Sequence, residues 1–245
     1  MPHLMDMLAA KGLILAGGFG IRVKQDYLAS IQAKTLLTPV PPARATSDLD
    51  FFLTMEIFMS DHVQQSIRDI IDRLGYAPKH ENWQFAKQLA NGFSERQVTL
   101  DLLSRHPTET ENVKLRPPRV GEGPLHGRNT AEAFAINIEP THIALNGHAS
   151  DGRLLRATVS VPHPYAWINM KVRASYDWLR MTRGEIKPKP FSEKHAYDVY
   201  TLVAMLQDHE LSRGAEIASK FEDHPVAILV REQAPELFST RNSAG

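Results

Sequence analysis

The sequence predicts a mixed α/β fold, a sheet with flanking helices followed by a smaller helical part. Three observations carry this. A short apolar run, Gly12-Leu13-Ile14-Leu15-Ala16, is halted by Gly17-Gly18 and gives way to helical patterning. In Asp48-Leu49-Asp50-Phe51 polar and apolar residues alternate with the period of a strand. Beyond Pro164 the apolar residues recur at helical spacing.

Taken in order, residues 12–16 read as a strand, Gly17-Gly18 as a turn and 19–31 as a helix. Pro39, Pro41 and Pro42 have fixed φ and no amide donor, so they make an extended loop leading to a second strand at 48–53. Ser60-Asp61 supplies a helix cap, Ile67, Ile70, Ile71 and Leu74 share a helical face, and Gly75 ends the helix. Residues 83–89 and 97–103 read as strands joined by a turn containing Asn91-Gly92. Over 111–127 the composition shifts to Pro, Gly and basic residues, which predicts a long loop. Two further strands are expected at 141–145 and 154–161, separated by 146–152. Trp167, Met170, Ala174 and Trp178 then fall on one helical face, and Val199, Leu202, Val203 and Leu206 on another. The expected domains are therefore 1–164, mixed α/β, and 165–245, helical.

Composition narrows the function. The chain has 245 residues, 42% of them hydrophobic, enough to bury a substantial core. Its 28 Lys plus Arg equal its 28 Asp plus Glu, which argues against a dedicated nucleic-acid coat but leaves room for a local basic patch. The absence of Cys excludes disulfides, thiolate metal sites and a cysteine nucleophile. None of the 11 His forms a His-x-x-x-His pair, and neither Gly-x-Ser-x-Gly nor a Walker A or Rossmann glycine pattern occurs. No stretch has the roughly 20 apolar residues of a membrane span, and the start lacks the blocks of a secretory signal. A cytoplasmic location without membrane association is the expectation.

Chemistry concentrates in Arg44-Ala45-Thr46-Ser47-Asp48-Leu49-Asp50-Phe51. Residues i and i+2 of a strand point the same way, so Asp48 and Asp50 present two carboxylates together. Like charges that close call for a cation, and Mg²⁺ held by one or two carboxylates plus substrate phosphates answers that need. A solvated strand end is the plainer reading of a lone Asp-x-Asp. Gly17-Gly18, at the passage from strand to helix, allows close approach of a phosphate to free amides, although an ordinary tight turn fits the pair as well. Asp101 interrupts the apolar run Val98-Thr99-Leu100-Asp101-Leu102-Leu103, so it either lines a cleft beside a cation or sits on an edge strand.

In these residues the chain resembles the nucleotidyltransferases of the DNA-polymerase-β-like superfamily, and more narrowly the AbiEii/AbiGii toxin group of type IV toxin–antitoxin systems. The match runs through Leu15-Ala16-Gly17-Gly18, Arg44-x-Thr46-x-Asp48-Leu49-Asp50-Phe51 and Asp101 on its own strand. It continues through Lys171 in Trp167-Ile168-Asn169-Met170-Lys171-Val172-Arg173-Ala174 and Asp198 in Lys194-His195-Ala196-Tyr197-Asp198-Val199-Tyr200. Two departures stand out. Many superfamily members have Gly-Ser where Gly17-Gly18 stands, and Lys194-His195 occupies the place of a frequent Arg-Asp pair.

The resemblance implies a nucleotidyltransferase-fold mixed sheet and an Mg²⁺-dependent transfer of NMP from an NTP to a hydroxyl acceptor. Asp48, Asp50 and Asp101 would hold two Mg²⁺ ions, Gly17 and Gly18 would cradle phosphates, and Lys171 would neutralise the departing pyrophosphate. Asp198 would orient Lys171 or the nucleotide. The implied acceptor is RNA, tRNA in particular, and the implied partner a cognate antitoxin. Two other readings stand beside it, a small-molecule nucleotidyltransferase of the aminoglycoside type and a non-catalytic nucleotide-binding regulator.

The residues themselves add expectations. Lys171 is placed at the margin of an apolar helix face, projecting its amine into a cleft between the domains or simply to water. Lys194 and Asp198, four apart on a helix, can form a surface ion pair. From 171 to 194 seven basic residues (Lys171, Arg173, Arg180, Arg183, Lys187, Lys189, Lys194) face three acidic ones (Asp177, Glu185, Glu193), an excess that suits a polyanionic acceptor or a solvated helical hairpin.

Overall fold

A computed structural model describes residues 12–91, 94–148, 152, 154–185 and 194–240. The start of the chain, Gly92 of the expected hairpin turn, residues 149–151 of the later turn, and Lys187, Lys189 and Glu193 of the basic stretch lie outside the described residues.

The order of elements is β1 (Ile14–Leu15), α1 (Gly17–Ser30), β2 (Asp48–Phe52), α2 (Met55–Phe58), α3 (Asp61–Arg73), β3 (Ala77–His80), β4 (Gln84–Asn91) and β5 (Ser94–Ser104). Then come β6 (Leu115–Arg116), β7 (Arg119–Val120), β8 (Gly127–Asn129), a 3-10 turn (Ala131–Ala133), β9 (Thr141–His148) and β10 (Leu154–Val161). Four helices close the chain, α4 (Pro164–Thr182), α5 (Lys194–Ala204), α6 (Asp208–Lys220) and α7 (Pro225–Phe238). The fold is mixed α/β, as the patterning predicts.

The strands form one mixed sheet in the order β6-β7-β8-β5-β2-β1-β10-β9, with β4 alongside β5 and β3 alongside β4. β2 runs parallel to β5 and antiparallel to β1, which places the Asp-x-Asp strand in the middle of the sheet. Leu49 and Phe51 of β2 and Leu100 and Leu102 of β5 are buried, so the apolar half of each alternation faces the core and leaves the aspartates on the other side, where Phe52 at the end of β2 is buried as well. α3 begins as expected, with the Ser60 hydroxyl accepting from Val63 N, and buries Ile67, Ile70 and Ile71.

Several expectations change. The first helix starts at Gly17 rather than at 19, so both glycines belong to its first turn. The expected loop at 111–127 contains a small hairpin, β6–β7, that joins the sheet through β8. The elements are two or three residues long, too short for alternation to register in the sequence. On α4, Trp167, Lys171, Val172, Ser175 and Leu179 are buried, whereas Met170, Ala174 and Trp178 are half-buried, because the helix packs against both α5 and α7. Trp167, Leu202 and Met205 join the core of the sheet, while Val172, Leu179, Val199, Val230 and Leu237 make a smaller cluster among the last helices.

Candidate active site at the junction of sheet and helices

The parallel pairing of β2 with β5 sets Asp50 opposite Asp101 and Asp48 opposite Thr99. Register partners on adjacent strands share a face and stand about 4.8 Å apart, so Asp101 is beside Asp50 and Asp48 lies two residues along the same side. Three carboxylates from two distant stretches of the sequence thus become neighbours. Burial pushes the Asp50 carboxyl up to about 6; Asp101 and Asp48 push the same way, and Lys171 and Lys194 oppose them. Burial also raises Asp101, with Asp48 adding to it, against a hydrogen bond from Gln84 and the charges of Arg128 and Lys79.

Among the described residues, no group of three His, Cys, Asp or Glu side chains is arranged to hold a metal ion as it stands. One oxygen of Asp101 is already engaged, Gln84 Nε2 donating to Oδ1 at 2.6 Å.

Gly17 and Gly18 are explained by what approaches them. Gly17 has φ +62, a region L side chains rarely adopt, and a Cβ there would lie 1.7 Å from Asp50 Oδ2. A Cβ on Gly18 would lie 2.8 Å from Arg44 Nη2. The two glycines therefore let a carboxylate and a guanidinium come up to the start of α1, whose cap residue Ala16 offers no side-chain hydrogen bond.

Beyond α1 a second charged group forms around Asp198. Lys171 Nζ donates to Asp198 Oδ2 at 2.7 Å, and Arg44 donates through Nε to Oδ1 at 2.8 Å and through Nη2 to Oδ2 at 3.2 Å. Burial raises the Asp198 carboxyl, but the Lys171 charge and the hydrogen bonds from Arg44 and Lys171 outweigh it and hold the carboxyl below its ordinary value. Lys171 is buried on α4 instead of reaching water, and Asp198, the residue expected to orient it, is a buried carboxylate that both Lys171 and Arg44 contact. His195 completes the surroundings. Burial, together with the charges of Lys171, Lys194 and Arg44, pushes its imidazole down to about 3, so it stays neutral.

The structure brings Asp48, Asp50 and Asp101 together, sets Gly17 against Asp50, and joins Lys171 to Asp198. Sequence reasoning did not single out Arg44 as a site residue, although it opens the Asp-x-Asp stretch, nor Gln84, which no local pattern marks. No protein-family model, curated protein or solved structure matches the chain. Chemically, the arrangement sets a cluster of hard oxygen donors next to a carboxylate that holds two cations. One side suits a divalent metal, and the other, with its surplus positive charge, suits an anion.

Proposed function

We propose that the chain is a nucleotidyltransferase that moves NMP from an NTP to a hydroxyl acceptor, RNA in the reading the resemblance favours, as the toxin of a toxin–antitoxin pair. The observation that carries it is the register of Asp50 with Asp101, with Asp48 on the same side and the Lys171–Asp198–Arg44 group nearby. The donor set fits Mg²⁺, which takes one or two carboxylates and completes its shell with substrate phosphates and water, so a finished protein cage is not required. Asp48 and Asp50 would hold it. When bound, the metal polarises the phosphoryl oxygens and neutralises the charge of the triphosphate.

The remaining roles fall to the chain itself. The first-turn amides at Gly17 and Gly18 receive phosphate oxygens. Lys171 and Arg44, held by Asp198, face the charge that builds on the leaving pyrophosphate. The acceptor hydroxyl oxygen forms its bond to the α-phosphorus as the bond to the bridging oxygen breaks, and its proton passes to Asp101. Oδ2 is the receiving atom, since Oδ1 is held by Gln84.

The test is purified protein with Mg²⁺, each labelled NTP in turn, and total RNA. The expected result is label in RNA with one NTP, abolished by Asp50→Ala without loss of fold, and growth arrest on expression that the same substitution relieves. Retained turnover in Asp50→Ala overturns the reading.

A further inference from the structure

A second feature lies at the Asp101 end of the site. β6, β7 and β8 set Arg116 opposite Arg119 and Arg119 opposite Arg128, so three arginines stand in a row on one face of the sheet. Like charges directly opposite one another destabilise a sheet, and an anion lying over the row relieves that repulsion. Lys114 and Arg116 share Glu122, at 2.7 and 2.6 Å. Arg119 and Arg128 form no ion pair among the described residues, and Arg119 Nε is buried without a hydrogen-bond partner.

The row ends on an aromatic platform. The Arg128 guanidinium lies 5.5 Å from the centre of the Trp83 ring, and the His80 ring stacks with Trp83 at 5.7 Å and 18°. His80, Lys79 and Arg128 are exposed and Trp83 is half-buried. The platform sits on the tip of the β3–β4 hairpin, where Glu81 and Asn82 both take positive φ, 32° and 58°. Three contacts pin that tip: His126 Nδ1–H donates to the Glu81 carbonyl, His126 N to the Asn82 carbonyl, and Arg68 to the Asn82 side chain. Two strained residues fixed this firmly make a rigid support. Gln84, next to Trp83, holds Asp101, and the charges of Arg128 and Lys79 act on the Asp101 carboxyl, so platform and acid cluster adjoin.

We propose that this surface binds the end of a single-stranded polynucleotide, with phosphates along Arg116, Arg119 and Arg128 and a base stacked at Trp83 and His80. Stacking on an aromatic face needs an unpaired base, and a row of cations follows a backbone rather than a single nucleotide. The inference rests on the transferase reading for its purpose, since it delivers a terminal hydroxyl to Asp101, but the binding is separable from the reaction.

The experiment is fluorescence anisotropy of the full chain with a labelled single-stranded oligoribonucleotide of about 12 nucleotides, in EDTA and without NTP, at about 50 and about 200 mM salt. The wild type binds, more weakly at the higher salt and more tightly than to a duplex of equal length. Arg128→Glu weakens binding about tenfold or more and lowers the slope of log affinity against log salt by about one. Trp83→Leu weakens it about tenfold, while Trp83→Phe, which keeps a stacking face, stays near the wild type. Absent binding at the lower salt, a preference for duplex, or Arg128→Glu with unchanged affinity and slope each overturn the proposal. Binding that persists in Asp50→Ala supports it whatever becomes of NMP transfer. Transfer to a small hydroxyl compound without oligonucleotide binding overturns it and leaves the transferase reading standing.

Discussion

The place a side chain on Gly17 would occupy is taken by Asp50: a Cβ there would sit 1.7 Å from Oδ2. Gly17 also holds φ +62, so Gly17→Ala meets backbone strain and a clash with the Asp50 side chain from its carboxylate back to its Cβ. The expected loss is about 2 kcal/mol or more of unfolding free energy, read by urea denaturation. Adding Asp50→Ala removes the clash but not the strain, so the double variant is more stable than the sum of the single effects allows. Strict additivity would show that the two residues do not touch.

Asp50 also sets a pH dependence. Its carboxyl is raised from 3.8 to about 6, so between those values the folded protein keeps a proton that the unfolded chain releases. Stability is therefore fully present below about pH 4 and falls as pH rises through about 6. In metal-free protein at pH 7, Asp50→Asn is expected to be more stable than the wild type by about 1–3 kcal/mol, with no difference near pH 3. Mg²⁺ narrows that gap by stabilising the wild type alone. Thermal melts across pH, with and without Mg²⁺, measure both effects.

These relationships were legible in the sequence to different depths. Asp48 and Asp50 stood out because a strand has period two, and Asp101 because it breaks an apolar run. Their meeting depends on β2 lying parallel to β5 in one register, which no local pattern encodes. The burial of Lys171 was hidden for a similar reason: periodicity gives the apolar stripe of α4, but not the carboxylate on α5 that makes a buried ammonium tolerable. β3 carries no local signal, because Ala77-Pro78-Lys79-His80 is exposed throughout and contains a proline, and so shows neither alternation nor an apolar run.

Asp198 is the common partner of Lys171 and Arg44, with side-chain exposures of 2% for Asp198, 10% for Lys171 and 20% for Arg44. Removing the carboxylate leaves two cations facing each other away from water. Asp198→Ala is expected to cost about 3–5 kcal/mol, whereas Arg44→Ala, which leaves Lys171 paired, costs less. Guanidinium denaturation is unsuited to ion pairs because the denaturant is itself a salt; urea titrations of the two variants give the comparison. Equal losses would mean that Asp198 does not hold both cations.

A second buried pair ties α1 to α6. Lys24 and Glu210 are almost wholly enclosed, and the Lys24 ammonium donates to Glu210 Oε1, while Oε2 accepts from Gln207 N at the start of α6. Lys24→Met strands a carboxylate in the interior and is expected to cost about 3–5 kcal/mol. Lys24→Met with Glu210→Leu removes both charges and fills similar volume, so most of the loss returns. What does not return is the cap on Gln207 N, worth about 1 kcal/mol. Urea melts of the single and double variants measure these terms. A double variant as unstable as Lys24→Met alone would mean that the pair supplies more than mutual neutralisation between α1 and α6.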